Sequence, residues 1–351
     1  MSKQRPLRES KIMQLGLFPV EVTAVKQLTE HYVRVSLAGH SLHHAAEEIS
    51  DGSGDVVDAY IKLLIPPEGA TKPVDIVLDE SWRKEWFAKP AEERGWMRTY
   101  TVRNSRLVSS QKIRGELGEF RPATQADLSV LNREIPAGFV PEVDIDFVLH
   151  ADAQGLMGPG ANWANRVKVG DAVSFLAPMR GNNLWSSWNP GRASKILVLA
   201  DETAVPAALS IVRTLDPQTR ADILLEVPGQ GDVMTAEQAD IEDAAAQLSE
   251  VKVRWLPRGC NGSSSVRGEE LYRVLREILD VKLKVNYKVT EQVSAEEIVW
   301  GLAEEDSDYY VFIAGESAVI KTLRRICVND AGLDKGNISF MGYWKRGRAE
   351  S

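Results

Sequence analysis

The residues best suited to do chemistry sit in one hexapeptide, Arg98-Thr-Tyr-Thr-Val-Arg103. The run is β-prone, with a guanidinium at each end and an aromatic ring and hydroxyls between them. On a strand, alternate side chains share a face. Arg98, Tyr100 and Val102 therefore point one way, and Thr99, Thr101 and Arg103 the other. Such a set could grip a flat, polyanionic ligand, with an arginine fork for phosphates, a ring to stack on and a hydroxyl as a small donor. An edge strand with solvated arginines would read the same in isolation.

A second candidate stretch is Gly155-Leu-Met-Gly-Pro-Gly160, which follows His150 and runs into Ala161-Asn-Trp-Ala164. A small-residue loop opening into a helix start aims backbone N–H groups at a phosphate. In Asp58-Ala-Tyr-Ile-Lys-Leu-Leu-Ile-Pro66, the residues Tyr60, Lys62 and Leu64 share a face. Lys62 thus stands among apolar neighbours, as a rim charge or as a charge placed for a ligand. His43-His44 is an adjacent pair in a polar stretch and is expected at the surface. Cys260 and Cys327 lie far apart, which is neither a disulfide framework nor a metal cluster and fits a reducing cytosol.

The elements that must position these groups fall into two halves, as 351 residues lead one to expect. The first half alternates as strands do, at Val20/Val22/Ala24, Val33/Val35/Leu37, 58–66, 98–103, Val143–His150 and 167–176, with turn signals between them. That grammar predicts an antiparallel β-barrel over residues 1–189, interrupted by a long aperiodic excursion at about 104–141. Residues 180–192 form the candidate linker. Beyond it, Lys195-Ile-Leu-Val-Leu-Ala200 is the continuous apolar run of a buried parallel strand. Thr203 is a candidate cap for the helix that follows, whose apolar positions are Leu209, Val212 and Leu215. Further strands are expected at 221–227, 251–256, 308–316 and 338–347, with helices at 269–279 and around Ile320, Leu323 and Ile326. Ser294–Glu297 reads as a capping box. Residues 190–351 are thus expected to form an α/β domain with a mainly parallel sheet.

The net charge of -8 argues against nucleic acid as the main partner, so any anionic ligand must be met by a local basic patch. The N-terminal residues carry charge with no apolar region behind them, and no run approaches a membrane span. A cytoplasmic location without membrane insertion is the expectation, and a monomer is the default.

Four stretches together resemble the siderophore-interacting protein family, FAD-containing ferric-siderophore reductases of the ferredoxin-reductase-like superfamily. They are RTYTVR at 98–103, His150 with GPGANWA to 164, ADETAVPA at 200–207, and AGE at 314–316 with GYWKRG at 342–347. The resemblance covers most of the chain. It implies an N-terminal FAD-binding barrel and a C-terminal pyridine-nucleotide domain. By the same resemblance Arg98 would bind the phosphate or ribityl side of FAD, with Arg103 counted among the cofactor-binding residues. Tyr100 would pack on the flavin and Thr101 would sit near its N5 edge. His150, Gly158, Gly160 and Trp163 would hold the pyrophosphate and adenosine end. Asp201, Glu202 and Thr203 would lie at the mouth between flavin and nicotinamide, Gly315 and Glu316 would line the nicotinamide site, and Trp344 would approach the flavin. Thr101, Thr203 and Trp344 are thereby the implied catalytic set. Two features depart from the family pattern: Ala161 stands where a serine is common, and the excursion after Asn104 is long.

The implied reaction runs from nicotinamide to flavin to an Fe(III) chelate, with positioning, dry walls and electrostatics as the protein's contribution. Oxygen donors hold Fe(III) more tightly than Fe(II), so reduction loosens the metal. Lys62, Lys345 and Arg346 are the candidate dock for an anionic ferric siderophore, and no protein metal ligands are required. Glu226, near a strand end, would favour the free ribose 2′-OH of NADH, whereas Arg254 and Arg258 nearby could take the 2′-phosphate of NADPH. Two other readings stay open: a general flavin-dependent reductase with a protein or quinone-like acceptor, and a non-catalytic FAD- and siderophore-binding protein.

Overall fold

The computed structural model describes residues 14–54, 56–70, 72–113, 138–150, 155–260, 262–281, 300–304 and 307–346. Seven strands make the first sheet: β1 (Leu15–Gln27), β2 (Tyr32–Ala38), β3 (Tyr60–Ile65), β4 (Trp96–Thr101), β5 (Asn104–Ser109), β6 (Phe139–Val148) and β7 (Ala172–Pro178). Their order is β4-β3-β7-β1-β2-β6-β5, with every pairing antiparallel. Alternate apolar side chains, among them Val20, Val35, Ile61, Leu63, Ile145, Phe147 and Phe175, fill one continuous core. A register shift between Val22 and Ala24 bends β1 around it.

The edge strands β4 and β5 are consecutive in the chain, so residues 102–103 are the seam of the barrel. Val102 N–H donates to Ala59 O (2.7 Å), on the β3 side, and Arg103 N–H donates to Asp144 O (2.8 Å), on the β6 side. Within two residues the backbone leaves one edge and joins the other. The strand that carries the hexapeptide therefore ends at Thr101.

The second sheet contains β8 (Lys195–Ala200), β9 (Arg220–Val227), β10 (Val251–Pro257), β11 (Trp300–Gly301), β12 (Tyr309–Glu316) and β13 (Ile338–Trp344), in the order β10-β9-β8-β12-β13-β11. All neighbours are parallel except the short β11. Helix Val205–Arg213 packs Leu209 and Val212 against one face with Val198, Ile223 and Phe312. Helices Glu269–Ile278 and Ser317–Arg325 pack Leu271, Leu275, Ile320 and Leu323 against the other, with Leu197, Leu199 and Ile313. Both faces are covered, which is why the strands read as unbroken apolar runs.

Several expectations change here. Both ends of the proposed 104–141 excursion are regular strand, because Asn104–Ser109 pairs with 139–144; residues 114–137 lie outside the described residues, as does the Ser294–Glu297 capping box. The 180–192 segment is firmly tied. Asp58, buried, accepts from Ser187 N and Oγ (2.7 Å each), and Trp188 packs edge-on to Tyr310 and Phe312. His43 is buried, not at the surface, because the turn His40–His44 folds against the barrel core through Leu42. Thr203 does not cap the next helix; its hydroxyl turns back to Asp201 Oδ1 (2.6 Å) and the helix starts after Ala204.

Candidate functional site at the junction of the two sheets

The β3–β4 register fixes which way the hexapeptide points. Tyr100 opposes Ile61 and Arg98 opposes Leu63, so both lie on the core side, while Thr99 opposes Lys62 and Thr101 opposes Tyr60 on the outer side. Tyr100 is half-buried against Phe147 (4.4 Å between ring centroids), and Phe147 meets Trp163 at 5.5 Å. Gly158 precedes the helix Pro159–Ala164 without any side-chain cap. Gly160 lies flush on the tyrosine: a Cβ there would fall 1.7 Å from Tyr100 Oη. Only glycine lets this turn close over the ring. Half-buried Arg98 and Tyr100 thus share the face of β4 on which the uncapped turn at 158–160 closes.

Arg103 does not belong to that set. It is fully buried, and its guanidinium donates to the backbone carbonyls of Ala239 and Asp240 in the second half of the chain. The side chain lies opposite Val102, which is buried in the barrel core, and faces the second half of the chain, whose cover over that face the hexapeptide alone could not show.

Thr101 is 7% exposed and pairs with Tyr60, two residues after Asp58, whose Oδ1 accepts from the Tyr343 hydroxyl (2.9 Å). The start of β3, the strand paired with the hexapeptide, is therefore fastened to β13, one residue before Trp344. Trp344 itself reaches back, its ring centre 6.2 Å from that of His150.

In the parallel sheet, the chain leaves β8 toward β9 on one side and lies beside β12 on the other. The crevice outside the carboxyl ends of such a pair is where open α/β sheets bind ligands. Asp201, Glu202 and Thr203 follow β8 there, and Gly315 and Glu316 end β12. The two acids are not exposed at the mouth: Asp201 is 1% and Glu202 2% exposed. Asp201 accepts from Thr203, Glu316 N and Trp344 Nε1, and burial followed by the Glu202 charge raises its carboxyl above the ordinary range. Burial raises Glu202 too, but the Arg267 and Arg258 guanidiniums outweigh it and hold the carboxyl low. Glu316 caps its helix, accepting from Ala318 N (2.6 Å) and Val319 N (3.1 Å), and takes Arg346 N at its other oxygen (3.2 Å).

Glu226 has a different task from the one expected. It is fully buried, accepting from Gly268 N (2.7 Å) and Arg258 Nη1 (3.0 Å), and burial pushes its carboxyl up to about 7 despite them. It organises the loop after β10. Lys62 Nζ donates to Thr99 Oγ1 (2.5 Å) on the outer face of β3 and β4. Lys345 and Arg346 follow Trp344 at the end of β13, Lys345 half-buried and Arg346 exposed. Asp58, Tyr343 and Arg267 were missed from sequence. Only Tyr343 had a signal, its place beside Trp344.

An antiparallel barrel whose seam strand meets the carboxyl end of a parallel sheet is the ferredoxin-reductase-like architecture. A flavohemoglobin from Malassezia yamatoensis shares it, with a TM-score of 0.50 at 12% identity over 93% of this chain and 60% of that one. The particular family follows from sequence: residues 21–114 and 128–182 match the siderophore-interacting FAD-binding domain, and 193–347 match the siderophore-interacting protein family. The chain belongs to that family. Its solved relatives include a siderophore utilization protein from T. fusca (TM-score 0.56, 22% identity, 95% of each chain) and SipS from Aeromonas hydrophila (0.53, 20%, 95% and 93%). The ferric vibriobactin reductase ViuB of Vibrio cholerae is 23% identical over 93% of this chain and 88% of its own.

Proposed function

We propose that the protein is an NAD(P)H-dependent, FAD-containing ferric-siderophore reductase. The observation that carries this is the junction itself: Tyr343, on β13 at the sheet end where a nucleotide would lie, donates its hydroxyl to Asp58, two residues before β3 of the FAD-binding barrel. The ferric vibriobactin reductase and the ferric acinetobactin reductase among its relatives support the substrate class. Arg98 would pair with a phosphate, Tyr100 would provide the stacking face, and the 158–160 turn would offer backbone N–H groups. Bound there, FAD supplies the step from a two-electron donor to a one-electron acceptor, which reduction of Fe(III) requires. Thr101 and Trp344 bound the space between barrel and parallel sheet and keep water from it. Lys62, Lys345 and Arg346 offer positive charge to an anionic chelate, whose Fe(III) is substrate and leaves as Fe(II).

NADH is the proposed donor. Arg258 is held by Glu202 (2.8 Å) and Glu226 (3.0 Å), and Arg254 by Asp222 (2.9 Å), so the two arginines considered for a 2′-phosphate are already committed. The proposal places the protein in the cytoplasm as a monomer; among the described residues no helix is long and apolar enough to cross a membrane. Anaerobic absorbance of the purified protein tests the whole reading. Bleaching of a flavin band by NADH, and its recovery on adding a ferric siderophore with Fe(II) trapped by a colorimetric chelator, is expected. Bleaching without recovery assigns another acceptor, and absence of flavin overturns the reading.

A further inference from the structure

Asp201 was expected to face the cofactors, yet its carboxylate has no capacity left for them. Oδ1 accepts from Thr203 N (2.9 Å) and Thr203 Oγ1 (2.6 Å), and Oδ2 accepts from Glu316 N (2.8 Å) and Trp344 Nε1 (3.0 Å). Four donors fill the usual complement of a carboxylate. They come from the carboxyl ends of three strands, β8, β12 and β13. The chain has made room for this: Gly315 has φ +141°, and a Cβ there would fall 2.5 Å from Asp201 Cγ. The ring that Asp201 holds is also packed by the Arg267 guanidinium, 4.8 Å from its centre.

We propose that Asp201 is a positioning residue for nicotinamide binding: it fixes the indole of Trp344 as an immobile wall of the crevice between β8 and β12. This rests on the reductase reading above. An indole is the one aromatic side chain that combines a large flat face with an N–H donor at its rim, so a buried carboxylate can lock its rotation. Asparagine cannot replace Asp201, because it has one acceptor oxygen and would turn an N–H toward two donors.

The tie itself is read from the indole N–H signals of the nine tryptophans in a ¹⁵N-labelled protein, with Trp344→Phe identifying the Trp344 signal. In Asp201→Asn that signal should move while the other eight stay. Its staying in place overturns the proposal. In the half-reactions, Asp201→Asn and Trp344→Phe should each raise KM for NADH roughly tenfold, as loss of one charge-assisted hydrogen bond implies. Reoxidation of dithionite-reduced Asp201→Asn protein by a ferric siderophore should be impaired less than its reduction by NADH. An unchanged KM, or equal damage to both half-reactions, also overturns it. Gly315→Ala, whose Cβ would fall 2.5 Å from Asp201 Cγ, gives the same readouts should Asp201→Asn fail to fold. A wild-type protein that NADH does not reduce sinks the reductase reading, while the indole signal still decides the tie.

Discussion

Arg213 Nη1 donates to the Arg103 carbonyl (3.3 Å) across the boundary between the two sheets, and the Arg103 guanidinium donates in turn to the carbonyls of Ala239 and Asp240. Arg213 also reaches Asn104 Oδ1 (3.3 Å) and lies 3.5 Å from the Asp240 carboxylate. The seam of the barrel is thus clamped from both sides. Asp232 adds a second clamp, accepting from Thr29 Oγ1 and His31 Nδ1 (2.8 Å each).

The two arginines of the hexapeptide should therefore fail differently. Arg103→Met removes buried donors and leaves two carbonyls unpaired, at a cost of about 2–4 kcal/mol of stability. Flavin content per folded molecule should stay at the wild-type level. Arg98→Ala should do the reverse, lowering flavin occupancy with little change in the denaturation midpoint. A fully flavinated Arg98→Ala protein would remove that residue from the phosphate site, and a flavin-poor but stable Arg103→Met would restore Arg103 to it.

That contrast also shows what was legible in sequence. Periodicity sufficed for most strands of both sheets, because each buries one or both faces and its composition reflects that; β5 was read as the start of an excursion, and the two-residue β11 carries no period. Tyr100 and Gly160 were both marked, one as a ring and one as a phosphate-turn glycine, but their contact depends on the barrel closing. Arg103 keeps the strand's alternation, opposite Val102 in the barrel core, but the second half of the chain covers that face through residues 136 and 137 positions away, which leave no local pattern. Glu226 and Asp201 carried the right chemistry at strand ends. Their burial was decided by Arg258, Gly268 and Trp344, which are 32 to 143 residues away in sequence and leave no local pattern.

Lys62 is poised on the outer face of β3, its ammonium 6.0 Å from the centre of the Tyr60 ring and bonded to Thr99. Lys62→Ala should raise KM for an anionic ferric siderophore about five- to tenfold, as loss of one charge-assisted contact would. Reduction of the protein by NADH should be unchanged. Lys62→Arg should recover part of the loss if charge is what matters. Equal effects on both half-reactions would take Lys62 out of the dock.

Nucleotide preference should follow the balance around Glu202. Its carboxylate neutralises Arg258 and Arg267 together. Glu202→Gln leaves those guanidiniums in excess beside the crevice, where a 2′-phosphate would be welcome. The ratio of kcat/KM for NADPH to that for NADH should rise about tenfold. An unchanged ratio would mean that the 2′ position is read elsewhere.

His43 supplies a pH signature independent of any cofactor. Burial, reinforced by the charges of His40, His44 and Arg180, lowers its pKa from 6.5 to about 4, and its Nδ1 is buried without a hydrogen-bond partner. Between those two values the unfolded chain binds a proton that the folded protein refuses. Stability from this group is therefore complete above pH 6.5 and is lost as the pH falls toward 4, amounting at most to roughly 3 kcal/mol. His43→Gln removes the titration. Urea denaturation midpoints of the two proteins should converge as the pH drops from 7 to about 4, where both states of the wild type are protonated. A constant difference across that range would mean that the imidazole titrates normally.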